Sequence, residues 1–475
     1  MAHGVVRPAR SGSAAIGILS NAFGDPYSIL IAQGAAQTLA RHGFHTISLT
    51  GGFPSAPFFA AEEGVVSVPS ALDALILVSS TLRGASDELK RMVERSSAPL
   101  VSIGAELDNA TSIVADDETG VFQAVAHLVK RHECKRIAFI AGPEGSVDGA
   151  RRLASYRGAL ENFKLAYDPT LCVRGDYEAR SGREAVLQLR RRGSRSFDAI
   201  VAANDLMAIG AIEGLKAGGI RVPDEIKVVG FDDMEEGAFI SPSLTTVRQP
   251  IAEQGVAAAE IAMKRLAGAP REREALLIST PLVIRRSCGC GAEEAVRPAA
   301  QLSAPEAEDR DLVDDALRGV IRRQLAARRL HRELSRLAEE VIGAPGFPEL
   351  AQAMTGVFRL LNAKRFLLCL YAGGQHKVRV VLESSGREVV FRNESPMFPV
   401  GRLLPEGFLR AGQPAQLWLE PLQIADEQFG YFVIEPEQQE GHVQLELRHF
   451  LSSALYRIAR ARELRRLYAI EKKQG

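Results

Sequence analysis

The sequence predicts an α/β protein: two Rossmann-like lobes of parallel sheet, followed by a long helix and a small α+β domain. Three observations carry this prediction. Residues 14–286 alternate short, continuously apolar runs with amphipathic helical stretches, the pattern of parallel sheets covered on both faces. That span is long for one open sheet, so two lobes are expected. Near residue 290 the alternation stops, and helical and strand-like runs of a different kind follow.

The bulk properties agree with a globular chain of several domains. A length of 475 residues corresponds to about three domains at ~150 residues each. Lys plus Arg and Asp plus Glu each total 58, so the formal net charge is zero. That argues against nucleic-acid binding through bulk positive charge, though not against a local basic patch. No run approaches the ~18 apolar residues of a membrane span. The first residues, MAHGVVRPARSGSAA, lack the apolar core of a secretory leader. Five cysteines are too few, and odd in number, for a disulfide scaffold. A cytoplasmic protein is expected.

Taken in order, strands are expected at 14–20, 72–80, 99–104, 135–142, 197–203 and 226–232, where apolar residues run together. Helical periods fill 27–42, 118–131, 151–163, 179–192 and 204–217. Residues 14–287 form the two-lobed part. Residues 288–311, rich in Ala, Pro and acid without an apolar period, read as a linker. In the helix expected at 312–342, Leu330, Leu334, Leu337 and Val341 step by 4, 3 and 4. That seam fits a coiled-coil pair or a single helix packed on its own domain. Within 343–440 a helix at 347–362 precedes strands at 365–371, 377–384, 416–424 and 430–436, the last two as an antiparallel hairpin. The final helix, 441–475, carries Leu447, Leu451, Leu455 and Ile458.

Common catalytic signatures are absent. There is no phosphate loop, dinucleotide fingerprint, zinc-protease helix, calcium loop or nucleophile elbow. Cys288 and Cys290 form a Cys-Gly-Cys pair, but no second Cys or His pair follows at zinc-site spacing, so no metal site is expected. The nine histidines are scattered, and His127 reads as a packed or surface residue of a helix. The basic runs at 189–195 and 321–332 read as solvated helix faces.

Polar residues instead gather at the C-terminal ends of expected strands, where open α/β sheets bind ligands. Asp116 follows TSIVA, Asn204 and Asp205 follow FDAIVAA, Asp232 and Asp233 follow IKVVGF, and Gln249 follows SLTTVR. Arg152 opens a helix after KRIAFIAG, with Tyr27, Tyr177 and Phe231 as nearby aromatics. Acceptors, one guanidinium and flat rings suit a polyhydroxylated ligand. Asn204 and Asp232 are also residue types of helix N-caps and turns.

The residues in order resemble the effector-binding core of LacI/GalR-type bacterial regulators, which share the type I periplasmic sugar-binding fold. The resemblance rests on DPYSILIAQGA (25–35), ADDETGVFQAVAHLVKRHECKRIAFIAGP (115–143), RRLASYRGAL (151–160), RGDYEARSG (174–182), AANDLMAIGA (202–211), VPDEIKVVGFDD (222–233), SPSLTTVRQP (241–250) and LVIRRSCGC (282–290). It implies a ligand held between two lobes. Asp116, Arg152, Asn204, Asp232 and Gln249 match the family's polar contacts, and Tyr177 matches a stacking aromatic. Many members have an aromatic two residues after the glutamine, where this chain has Ile251. Such regulators also carry an N-terminal helix-turn-helix. The first strand near Ala14 leaves no room for one, which argues against direct DNA binding by this chain. Residues 310–475 have no counterpart in an ordinary repressor and resemble a helix with a GAF-like domain, as in bacterial signalling proteins.

The function expected is therefore ligand sensing. A sugar-like molecule closes two lobes, and a homodimer passes the change to the C-terminal domain or to a signalling partner protein. The alternative is a LacI-family transcriptional regulator acting on DNA directly or through a partner. No cofactor is expected, and neither is catalysis, because no activated nucleophile or acid–base pair is apparent. Replacing Arg152 by Ala is expected to abolish ligand binding without unfolding the protein.

Overall fold

The computed structural model describes residues 14–20, 26–50, 69–78, 96–191, 197–272, 274–291, 329–372, 376–425, 427–437 and 441–474. Most of the expected linker, the first half of the helix expected at 312–342 and parts of both basic runs lie outside these residues. In chain order the structure opens with β1 (Ala15–Ser20), α1 (Pro26–Arg41), β2 (His45–Thr50), β3 (Ala74–Val78) and β4 (Leu100–Ile103). Next come β5 (Thr111–Ala115), α2 (Asp117–His132), β6 (Ile137–Ala141), α3 (Val147–Asn162), β7 (Cys172–Arg174) and α4 (Ala179–Arg191). They are followed by β8 (Ala199–Ala202), α5 (Asp205–Ala217), β9 (Lys227–Asp232), α6 (Glu235–Phe239), β10 (Thr245–Arg248), α7 (Ile251–Leu266), β11 (Leu276–Ile278) and β12 (Leu282–Val283). The C-terminal part holds α8 (residues 329–343), α9 (Phe347–Leu360), β13 (Arg365–Ala372), β14 (Lys377–Ser385), β15 (Glu388–Phe391), β16 (Met397–Pro399), β17 (Gln416–Ile424), β18 (Glu427–Glu435) and α10 (Gly441–Gln474).

Two compact units result. One combines Met1–Ser112, Ala252–Glu274 and Ile321–Gly475; the other combines Ile113–Ile251 and Ala275–Val320. The C-terminal segment is thus grouped with the first strands, whereas the division read from the sequence set it apart behind a linker.

In the first unit β4, β3, β1 and β2 pair in parallel. Every residue of β1 and β3 is buried, as continuous Val/Ile/Leu/Ala strands covered on both faces must be. β2 then pairs in parallel with β17, matching Thr46 with Gln416 and Leu49 with Leu419. From β17 the sheet continues antiparallel through β18, β13, β14 and β15. One apolar cluster spans this seam and includes Leu19, Ile47, Leu49, Leu367, Leu417 and Tyr431. The expected hairpin is present, joining β17 to β18. On α8, Leu334 and Val341 are buried while Leu330 and Leu337 are half-buried. Leu447, Leu451, Leu455 and Ile458 of α10 are buried as well. Arg457 of α10 donates to the carbonyl of Ile342 at 2.9 Å. Of the two readings of the Leu330–Val341 seam, these contacts are those of a helix packed on its own unit.

The second unit is built on a six-stranded sheet in the order β12-β10-β9-β8-β6-β7. All pairs are parallel except β10 with β12. The chain leaves β6 for β7 on one side and then crosses to β8 on the other. The strand order therefore reverses at β6, and the C-terminal ends of β6 and β8 border the crevice where such sheets take ligands. β5 and β11 form a further parallel ladder in this unit. Among the described residues, no helix is long and apolar enough to cross a membrane.

Trp418 is the single tryptophan of the chain and is 1 % exposed on β17. Trp418→Ala should cost about 3–5 kcal/mol of stability in the first unit. Because β2 and β17 share one ladder, the amides of His45–Thr50 should lose hydrogen-exchange protection together with those of β17. Unchanged protection in β2 would show that the seam is not part of one cooperative unit.

Candidate functional site

Three strand ends and the start of α2 deliver polar groups to one place in the second unit, and Arg152 on α3 ties them together. Its Nε donates to Asp117 Oδ1 at 2.8 Å. Its Nη1 donates to the carbonyl of Ala203, just past β8, at 2.6 Å and lies 3.6 Å from Asp232 Oδ1 at the end of β9. Its Nη2 donates to Gln249 Oε1, just past β10, at 2.8 Å. The guanidinium lies over the Phe231 ring, 3.7 Å from the centroid. Arg152 is 4 % exposed. Burial works against its charge, but Asp117 and Asp232 more than offset this and hold the guanidinium firmly protonated.

The acids outnumber the arginine. Burial pushes the Asp232 carboxyl up to about 7; Arg152 pulls it down while Asp117 and Asp148 push it further up. Burial likewise raises Asp148 to about 6, with Asp117 adding to the effect. Oδ2 of the buried Asp117 has no hydrogen-bond partner among the described residues. The site therefore presents surplus acceptors in a desolvated setting.

The loop after β9 is held under backbone strain. Asp232 and Asp233 take φ of 122° and 60°, in the region that favours glycine. Ion pairs pin this conformation: Arg248 and Arg285 each reach Asp233 at 2.6 Å. Buried Asp205 accepts from Thr246 Oγ1 at 2.6 Å and from the Met234 amide at 2.8 Å. Burial drives its carboxyl well above the usual range. Tyr177 is also left-handed, with φ of 72°. Its hydroxyl shares a 2.8 Å hydrogen bond with Ser146, and its carbonyl accepts from Asn204 Nδ2 at 2.9 Å.

Of the residues expected from sequence, Arg152, Asp232, Gln249 and Phe231 come together directly. Tyr177 and Asn204 form a neighbouring pair, with Asn204 also capping α5 by accepting from the Met207 amide at 3.0 Å. Asp116 serves as the N-cap of α2, accepting from the Thr119 amide at 3.1 Å; the carboxylate that meets Arg152 is its neighbour Asp117. Tyr27 belongs to the first unit, where it is half-buried in the first turn of α1. Asp117 and Asp148 were missed. Both are acids in the first turn of a helix, Asp117 in the run Asp116-Asp117-Glu118 and Asp148 one turn before Arg152, and that placement alone reads as ordinary helix-end chemistry.

The Cys-Gly-Cys pair has partners in space that sequence spacing does not show. Cys288 and Cys290 do have a histidine pair, placed upstream in sequence: His127 and His132 on α2, with all four donor atoms within 4.8 Å of one another.

Comparison with known proteins agrees with this architecture. A family profile described as a periplasmic binding protein-like domain matches residues 125–288. The transcriptional regulator CelR of Thermobifida fusca, named as HTH-type, is 31 % identical over 269 residues, covering 56 % of this chain and 77 % of CelR. GalR of Escherichia coli, also named as an HTH-type regulator, is 34 % identical over 183 residues, 38 % of this chain and 53 % of GalR. The chain thus spans most of CelR but only about half of GalR. Among solved structures, a CelR–cellobiose complex superimposes with a TM-score of 0.51 at 29 % identity, covering 57 % of this chain and 84 % of that one. The Lac repressor bound to ONPG gives a TM-score of 0.51 at 22 % identity, covering 59 % and 83 %, which shows the fold alone. These names bear on the argument against DNA binding drawn from the N-terminal residues: the relatives give it no support.

The burial of Arg152 among carboxylates sets a stability cost on Arg152→Ala besides the expected loss of ligand binding. Removing the guanidinium leaves Asp117 and Asp232 buried without their cation, so the variant should lose about 3–5 kcal/mol at neutral pH. Denaturant unfolding measures it, and a loss below ~1 kcal/mol would contradict the burial described.

The raised carboxyls also set a pH dependence. A carboxyl lifted above its unfolded value stabilises the folded unit while protonated, and that contribution is lost as pH rises through about 6 for Asp148 and about 7 for Asp232. The second unit of the unliganded protein should therefore melt lower at about pH 8 than at about pH 5, and Asp232→Asn should flatten the slope. Thermal scans at both pH values check this; an unchanged or steeper slope in the variant would refute it.

Proposed function

The chain belongs to the LacI/GalR family through its effector-binding domain, and from that premise we propose that it is a ligand-sensing transcriptional regulator. Its effector is a small, neutral, polyhydroxylated molecule, a sugar, bound at the Arg152 cluster. One observation carries the choice of ligand: Asp117, Asp148 and Asp232 surround one arginine that already donates to Asp117, Ala203 O and Gln249, and Asp117 Oδ2 is buried without a partner among the described residues. Such a site is rich in acceptors, and sugar hydroxyls supply donors to them. A sugar acid or sugar phosphate would add charge of the wrong sign. Tyr177 offers a ring face to the apolar side of a pyranose. The cellobiose complex of CelR supports the same class of ligand.

The relatives' names favour action on DNA, by this chain directly or through a partner, over the purely signalling role first expected. Ligand occupancy must favour one conformation over another to have any effect. We assign the C-terminal strands and α10 to dimerisation and to docking of the output partner. The likeness to a GAF-like fold belongs to this proposal.

Isothermal titration of the full chain with cellobiose, glucose, ribose and glucuronate tests the ligand class. A neutral sugar should bind, glucuronate should bind at least tenfold more weakly than glucose, and Asp232→Asn should lose about tenfold in affinity for the bound sugar, roughly 1.4 kcal/mol. Preferential binding of the sugar acid, or no binding of any neutral sugar, would overturn the assignment.

A further inference from the structure

Cys288, Cys290, His127 and His132 lie in the second unit and are not used by the Arg152 cluster. His127 Nε2 is 3.3 Å from Cys288 Sγ, 3.6 Å from Cys290 Sγ and 3.2 Å from His132 Nε2. His132 Nε2 is 3.4 Å from Cys290 Sγ. A single imidazole nitrogen carries either one proton or one lone pair, so it cannot satisfy three such neighbours as a hydrogen-bonding group. Four donor atoms converging on one point is instead the arrangement of ligands around a cation. With Zn–S of about 2.3 Å and Zn–N of about 2.0–2.1 Å, a tetrahedron has N–N edges of about 3.3 Å and S–N edges of about 3.6 Å. These four separations match those edges to within a few tenths of an ångström.

We propose that these four side chains form a structural zinc site of the Cys2His2 type. Both elements that carry it are fixed independently of a metal. His127 and His132 sit in the last turns of α2, whose end is set by Glu133 in a left-handed conformation and by the Cys134 amide donating to Leu128 O at 3.1 Å. The thiols follow Ser287, whose hydroxyl donates to Val228 O at 2.6 Å and accepts from the Thr245 amide at 2.8 Å, so the turn is bolted to β9 and β10. Gly289 takes φ of 101°, the left-handed conformation that turns both flanking cysteines toward the histidines. The cysteines are buried and the histidines half-buried. Four protein ligands of nitrogen and sulfur leave no open position, so the site is structural rather than catalytic. Soft thiolates with imidazoles favour zinc over magnesium or calcium. Binding displaces the two thiol protons to solvent and is therefore coupled to pH as well as to folding. The metal clamps the end of α2 to the chain as it leaves the lobe.

The test uses the full chain purified under reducing conditions. Elemental analysis should find one zinc per chain. Exchange for Co2+ should give the visible bands of tetrahedral cobalt together with a thiolate-to-cobalt charge-transfer band. Cys290→Ser and His127→Ala should each lose the metal or bind it at least tenfold more weakly, while Cys172→Ser should retain it. The cobalt spectrum of the unaltered protein decides the matter even where a variant fails to fold. Absence of both stoichiometric zinc and the cobalt bands would overturn the proposal. So would a Cys288–Cys290 disulfide in the reduced preparation, or undiminished metal in Cys290→Ser.

Discussion

A buried guanidinium needs an acceptor for its donors, and that requirement organises the second unit. Arg152 is satisfied only because β8, β9 and β10 end level with one another and α2 starts beside them. Ala203 O, Asp232, Gln249 and Asp117 each come from a different one of these elements. A shift of any strand by one residue would withdraw an acceptor and leave charge buried alone. The parallel register of the sheet and the arginine's contacts are thus one constraint seen from two sides. The strain at Asp232 and Asp233 belongs to the same arrangement, since the ion pairs of Asp233 with Arg248 and Arg285 hold Asp232 against Arg152.

In the first unit the organising fact is an edge. A parallel sheet ending at β2 would expose a row of unpaired backbone groups. Here β17 takes that place, and beyond it the sheet becomes antiparallel. The pairing also accounts for the burial of β2. His45, Thr46, Ser48 and Thr50 are all buried, and His45 Nδ1 accepts from the Ala415 amide at 3.1 Å. The C-terminal segment accordingly shares a core with the strands it follows by more than 300 residues.

The sequence was most legible where local pattern decides structure. The runs KRIAFIAG, FDAIVAA and IKVVGFD each mark a buried parallel strand, and the helices between them begin and end within a few residues of their expected places. β2 was missed because HTISLT alternates polar and apolar residues like a half-exposed strand, and only its partner β17, far along the chain, accounts for its burial. The site was legible as strand ends, which located Arg152, Asp232 and Gln249. It was not legible at the level of the single carboxylate. Asp116 and Asp117 are chemically identical neighbours; helix geometry gives the first to the Thr119 amide and turns the second toward the arginine. Asp148 stands in the first turn of α3, where an acid is ordinary because it complements the helix N-terminus, so its position does not single it out.

The histidine–cysteine cluster shows the same limit in stronger form. Metal motifs are recognised by short spacings, whereas His127 and Cys288 are 161 residues apart. What joins them is α2 and the turn after β12, both placed by the sheet. α2 spans 16 residues, or about 24 Å at 1.5 Å per residue. One end of it presents Asp117 to the Arg152 cluster, and the other presents His127 and His132 to the cysteines. A zinc ion bound there would fix the far end of the helix that carries Asp117. It would thereby narrow the positions Asp117 can take against Arg152, so that, if the proposed effector binds at this cluster, part of its site is pre-organised without contact to the metal.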